Sequence, residues 1–138
     1  MRAALIAALL LAACGGNVRE ELPPPQLPER AGVDPLVAAR AEGVEFRAVG
    51  DGFVLDIFPA ERIRLTLTTT GEELNFAKPE PQHPRWYGSI YTTSNAQHAL
   101  DVEIHNHRPC ESADRATYPI TVHIRLDDRE LEGCGREF

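Results

Sequence analysis

From Val44 to the C-terminus, apolar residues recur at every second position in short runs, and the turn residues between runs leave no room for a crossover helix. Such alternation is what a half-buried strand requires, because successive side chains leave opposite faces of an extended backbone. Phe53, Leu55 and Ile57 alternate with Val54 and Asp56 until Pro59-Ala60-Glu61 ends the run. Ile63, Leu65 and Leu67 alternate with Arg62, Arg64, Thr66 and Thr68, and Thr70-Gly71 turns the chain. Residues 44–49, 72–76, 86–92, 98–106, 119–126 and 129–133 complete a set of about eight predicted strands. Asp127-Asp128 falls where a two-residue hairpin turn is needed. Parallel pairing would require connections of a dozen or more residues, so the sheet should be antiparallel. The expected fold class is all-β: a small antiparallel barrel or sandwich of about eight short strands. One short N-terminal helix precedes it, with Asp34 as cap, Pro35 as first helical residue, two turns over 36–41 and Gly43 as the stop.

The first residues obey a different logic. Arg2 gives a positive start, positions 3–13 are an uninterrupted apolar run, and Leu11-Ala12-Ala13-Cys14 closes it. Eleven residues rise about 16 Å as a helix, roughly half of a ~30 Å hydrocarbon core, so the run is too short to span a bilayer. The order of these parts resembles a bacterial lipoprotein signal, which implies removal of residues 1–13 and acylation of Cys14, with palmitate-type chains anchoring the protein in lipid. Gly15-Gly16 follows the cysteine with no aspartate, which resembles outer-membrane sorting. The expected location is the cell envelope, at the inner leaflet of the outer membrane, facing the periplasm. Residues 14–33 are polar and proline-rich, with Pro23-Pro24-Pro25 and Pro28 among Glu20, Glu21 and Glu29, and read as an extended tether. Residues 34–138 then form the β-domain.

With Cys14 acylated, Cys110 and Cys134 remain as an even pair in an oxidising compartment and should form one disulfide. Closing a loop of that length is worth about 3.5 kcal/mol in the chain-entropy model, a large share of a small domain's stability.

Composition excludes several functions. Acids outnumber bases by 21 to 14, and Lys78 is the one lysine, so no basic surface for nucleic acid exists and no P-loop lysine is in place. Ser89, Ser94 and Ser112 are the serines, and none lies in a nucleophile elbow. No enzyme activity and no cofactor are expected. His105 and His107 lie two apart on a predicted strand, on the face of Asp101 and Glu103, and His123 holds the polar face of another strand. Three imidazoles beside carboxylates make these the weak candidates for zinc, although the expected state is no metal and a solvated polar face. Trp86, Tyr87 and Tyr91 form the aromatic concentration, directly after the proline-rich loop 78–84. Trp86 is expected in the core. His83, Arg85, Tyr87 and Tyr91 would form a small binding surface for a glycan or peptide if they gathered at one opening.

Several segments are similar to a family of uncharacterised bacterial envelope lipoproteins related to the small META/HslJ-like β-domains. They are Phe46-Arg47-Ala48-Val49-Gly50, Leu55-Asp56-Ile57 with Arg62-Ile63-Arg64-Leu65, and Trp86-Tyr87-Gly88-Ser89-Ile90-Tyr91. The C-terminal run adds Cys110-Glu111-Ser112-Ala113-Asp114, Tyr118-Pro119-Ile120-Thr121-Val122 and Leu131-Glu132-Gly133-Cys134-Gly135. The resemblance implies the fold, the envelope location and a disulfide between the same two cysteines, and carries no mechanism. Asp51-Gly52-Phe53-Val54 stands where such families often carry a Glu-Pro-aromatic run. A looser resemblance is to the membrane-bound inhibitors of c-type lysozyme, which implies an acidic domain meeting a basic hydrolase through a loop such as 78–84. The expected function is thus a non-catalytic binding or envelope-maintenance module, with hydrolase inhibition as the alternative. The expected partners are the lipid bilayer through Cys14 and an envelope protein or cell-wall component.

Overall fold

The structure, a computed structural model, describes residues 35–138 except 87. The expected signal peptide 1–13, acylated Cys14, tether 14–33 and Asp34 cap lie outside the described residues. Helix α1 (Pro35–Ala41) is followed by β1 (Phe46–Gly50), β2 (Phe53–Phe58), β3 (Arg62–Leu67), β4 (Glu72–Ala77), β5 (Gly88–Ser94) and β6 (Ala99–His105). A short excursion holds β7 (Cys110–Glu111) and β8 (Thr117–Tyr118), and the chain ends with β9 (Ile120–Leu126) and β10 (Arg129–Glu137). Eight strands form one antiparallel sheet in the order β4-β3-β2-β1-β10-β9-β6-β5, curled into a nearly closed barrel. Of the two architectures the alternation allowed, the barrel is the one formed. Its end strands are bridged by side chains: Thr93 Oγ1 donates to the Ala77 carbonyl at 2.8 Å and Asn95 Nδ2 to that of Asn75 at 3.2 Å. Polar side chains on β5 and in its following turn thus satisfy the edge carbonyls of β4 that would otherwise invite another strand.

The long strands of the barrel sheet send their buried apolar residues inward. Phe53, Leu55 and Ile57 of β2, Ile63 and Leu65 of β3, Leu100 and Val102 of β6, and Val122 and Ile124 of β9 are all 2% exposed or less and fill one contiguous core. Burying each such Leu, Ile or Phe contributes roughly 1.5–3 kcal/mol. Filling requires a gap on β10. A Cβ at Gly133 would sit 2.4 Å from the Val49 carbonyl oxygen and 2.7 Å from Phe53 Cζ, so glycine there is what lets the Phe53 ring cross the barrel. The final strand runs on to Glu137, past the expected end at 133, because it pairs with β9 along its first part and with β1 along its second.

The predicted hairpin turn is present, with Leu126 opposite Arg129 and Asp127 at φ 53°. Aspartate serves there because its carboxylate accepts from the Ala99 backbone N–H at 2.9 Å and lies 2.7 Å from His98 Nδ1. His98 first, then the Ala99 amide, hold the Asp127 carboxyl below its ordinary range.

At the other end, α1 closes with Gly43 at φ 78°. The Val44 N–H reaches the Ala39 carbonyl and the Gly43 N–H that of Arg40, both at 3.1 Å, the paired bonds of a Schellman stop. Val44, expected at the start of a strand, is instead the apolar residue that follows this stop and packs with Ala39 and Phe58 in a small second cluster. Beside that cluster Asp56 lies on the outer face of β2, 1% exposed. Arg47 grips it with Nε to Oδ1 at 2.6 Å and Nη2 to Oδ2 at 3.0 Å, and Arg64 Nη2 reaches Oδ2 at 2.7 Å. Arg64 also donates to Glu42 at 2.7 Å and so ties the end of the helix to the barrel wall.

Cys110 and Cys134 are joined in a disulfide with a Cα–Cα distance of 5.3 Å. It clamps the β7–β8 excursion onto β10.

Candidate functional site

Because the interior is filled by apolar side chains, polar chemistry collects on the outer wall. Register places the outward residues of β5, β6, β9 and β10 in rows across the strands. One row runs Thr92, Asp101, Arg125, Glu130, and the next Ile90, Glu103, His123, Glu132. These residues line a shallow open groove of about 500 Å³ in which four carboxylates face one guanidinium. Arg125 is paired with Asp101 directly across the strands. Arg125 first, against the opposing effect of burial, holds the Asp101 carboxyl below its usual range. Glu132 Oε2 stands 3.3 Å from His123 Nδ1. Opposite charges thus sit side by side along the first row, the arrangement that favours cross-strand pairs.

A third row begins Gly88, His105, Thr121, Cys134. Trp86 covers its first two members. The expectation that Trp86 belongs to the core is corrected by its 42% exposure. β5 starts at Gly88, two residues later than expected, so Trp86 precedes the sheet and lays its indole flat on the outer wall. The ring stacks on His105 with centroids 4.2 Å apart and planes 19° from parallel. A Cβ at Gly88 would lie 2.2 Å from indole Cζ3 and 2.2 Å from the Ile104 carbonyl oxygen, so only glycine leaves room for the ring. His123 meets His105 edge-on at 5.1 Å.

His105 and His123 therefore come together as the strand reading allowed, but His107 does not join them. It lies in the turn after β6, because that strand ends at His105. Among the described residues no group of three or more His, Cys, Asp or Glu side chains is placed to hold a metal ion. His83 and Arg85 are exposed on the loop before β5, and His83 Nδ1 lies 3.3 Å from the Gly88 carbonyl oxygen. Tyr91 faces the opposite way, into the core at 8% exposure, where burial pushes its phenol up. Its inward direction separates it from the candidate opening, and Tyr87 lies outside the described residues. The loop 78–84 is pinned to the barrel wall by reciprocal backbone bonds between Gln82 and Ile90, both 2.9 Å.

A second crevice, about 870 Å³, opens beside the disulfide between the Asp51-Gly52 turn and residues 110–114. Glu130 and Glu132 are the site residues that strand-by-strand reading passed over. Their signal was present in the hairpin turn at 127–128, which fixes Arg125 opposite Glu130 and His123 opposite Glu132.

No protein-family model, no curated protein and no solved structure matches the chain.

Proposed function

We propose that the protein is a lipid-anchored protein of the bacterial envelope, held by acylated Cys14 and facing the periplasm, that acts as a non-catalytic binding module. One observation carries the binding part of the reading. The barrel is filled by apolar side chains from Phe46 to Leu126, which leaves recognition to its outer surface, where the groove over β5, β6, β9 and β10 offers charged rows and the Trp86 indole lies on the next row. The apolar run before Cys14 and the Cys110–Cys134 bridge support the location, since structural disulfides belong to oxidising compartments. Kinship with the META/HslJ-like envelope lipoproteins is part of the same proposal.

A second reading, inhibition of a lysozyme-type cell-wall hydrolase, draws on the pinned loop 78–84. A loop held in place by the Gln82–Ile90 bonds loses little freedom on entering a cleft. Site-specific photocrosslinking in intact cells separates the two. A crosslinker at Thr92 in the groove should yield a discrete adduct that disappears in a Cys14→Ser background. The second reading expects the adduct from Glu80 instead, with a cell-wall hydrolase as its other half. Equal, diffuse labelling from both positions would contradict both.

A further inference from the structure

The pair formed by Trp86 and His105 has an unusual electrostatic position. His105 Nε2 is shut off from solvent and has no hydrogen-bond partner, although it lies on the outside of the barrel. What closes it off is the indole of Trp86 on one ring face and the edge of His123 beside it. A neutral imidazole tolerates that enclosure. An imidazolium would carry an Nε2–H closed off from solvent, with the Glu103 carboxylate 3.6 Å away and beyond hydrogen-bond distance. We propose that Trp86 and His105 form an acid-released latch: when His105 takes a proton from solvent, the indole lifts from the barrel wall and uncovers the adjoining end of the groove.

The charged groups around His105 decide the direction. From its own strand Glu103 favours the proton, with Oε2 at 3.6 Å, but that carboxylate is half exposed and screened by water. From β9 His123 opposes it, and from the turn after β6 so does Arg108. The segment before β5 contributes the uncharged indole, and Glu132 of β10 is engaged with His123. Burial is the largest influence and lowers the His105 pKa from its ordinary value of 6.5, with His123 next. Attraction between an imidazolium and the indole face works the other way, as does Glu103; between burial and the charged groups, the net direction is down. The sign follows: with its pKa lower in the closed form than in the open one, the closed form is favoured at neutral pH. That preference is lost as pH falls from the ordinary histidine range toward the closed-form value. Lifting the indole leaves the barrel core intact, because Trp86 stands outside the sheet and packs on its outer wall.

The chain has one tryptophan, so its fluorescence reports the latch directly. Titrating the folded mature protein from about pH 8 to about pH 5 should shift the emission to the red and raise its quenching by acrylamide. The midpoint should lie below 6.5, with far-ultraviolet circular dichroism unchanged. His105→Gln should be flat over the same range. His123→Asn, which removes the neighbouring imidazole that opposes protonation of His105, should move the midpoint upward. Loss of intensity without a red shift or easier quenching would mean that the imidazolium forms under a closed lid, and would overturn the latch. So would a transition that survives in His105→Gln, or a red shift that coincides with loss of circular dichroism.

Discussion

Replacing both Cys110 and Cys134 with alanine is expected to lower the free energy of unfolding by about 3.5 kcal/mol, the entropy of the loop their bond closes. The loss is large because a domain of this size has only about 5–15 kcal/mol in total. Where the bond sits raises its importance. Cys134 is 3% exposed on β10, the strand that pairs with β9 and β1 and so joins the two halves of the barrel. Cys110 opens a two-residue ladder with little burial of its own to hold it. Without the bridge, residues 106–119 lose their clamp before the barrel itself melts. Urea unfolding of the oxidised protein and of the double variant measures the effect. A difference under about 1 kcal/mol would show that the excursion is held by other contacts.

Asp56→Ala should cost about 3–5 kcal/mol, since it removes the buried carboxylate to which both Arg47 and Arg64 donate. Arg47 and Arg64 side chains are 10% and 18% exposed, and Asp56 2%. Glu42 does not replace it, because at 47% exposure its pairing with Arg64 is weakened by solvent. The informative comparison is a triple variant in which Asp56, Arg47 and Arg64 become Leu, Met and Met. Removing the whole ionic group should restore most of the lost stability, because breaking a buried ionic group costs more than replacing all of it with apolar side chains. Equal melting temperatures for Asp56→Ala and the parent protein would contradict the geometry.

Most of the barrel was legible because period-two patterning is local. The runs around Leu55, Leu65, Val102 and Val122 each declared a face without help from distant residues, and the Asp127-Asp128 turn fixed one register outright. What alternation does not encode is where a strand begins when its first residues are aromatic. The run from Trp86 reads as strand, yet the indole needs the space above Gly88, so pairing starts there and Trp86 stays outside. His107 falls off the strand for a similar reason: the sequence period continues past His105 while the ladder stops there. Closure was not legible either. It depends on Thr93 and Asn95 reaching carbonyls of β4, a pairing of distant residues that no short window contains. The groove belongs to that second class, since its rows exist only once β5, β6, β9 and β10 are in register.

The intact mass of the protein extracted from membranes tests most directly the proposed carriage of this stapled, filled barrel on a lipid anchor. The proposal predicts a chain that begins at Cys14 and carries acyl chains on that residue, with no thiol open to alkylation until reductant frees Cys110 and Cys134. A chain that retains residues 1–13, or one whose Cys14 is unmodified, would contradict it.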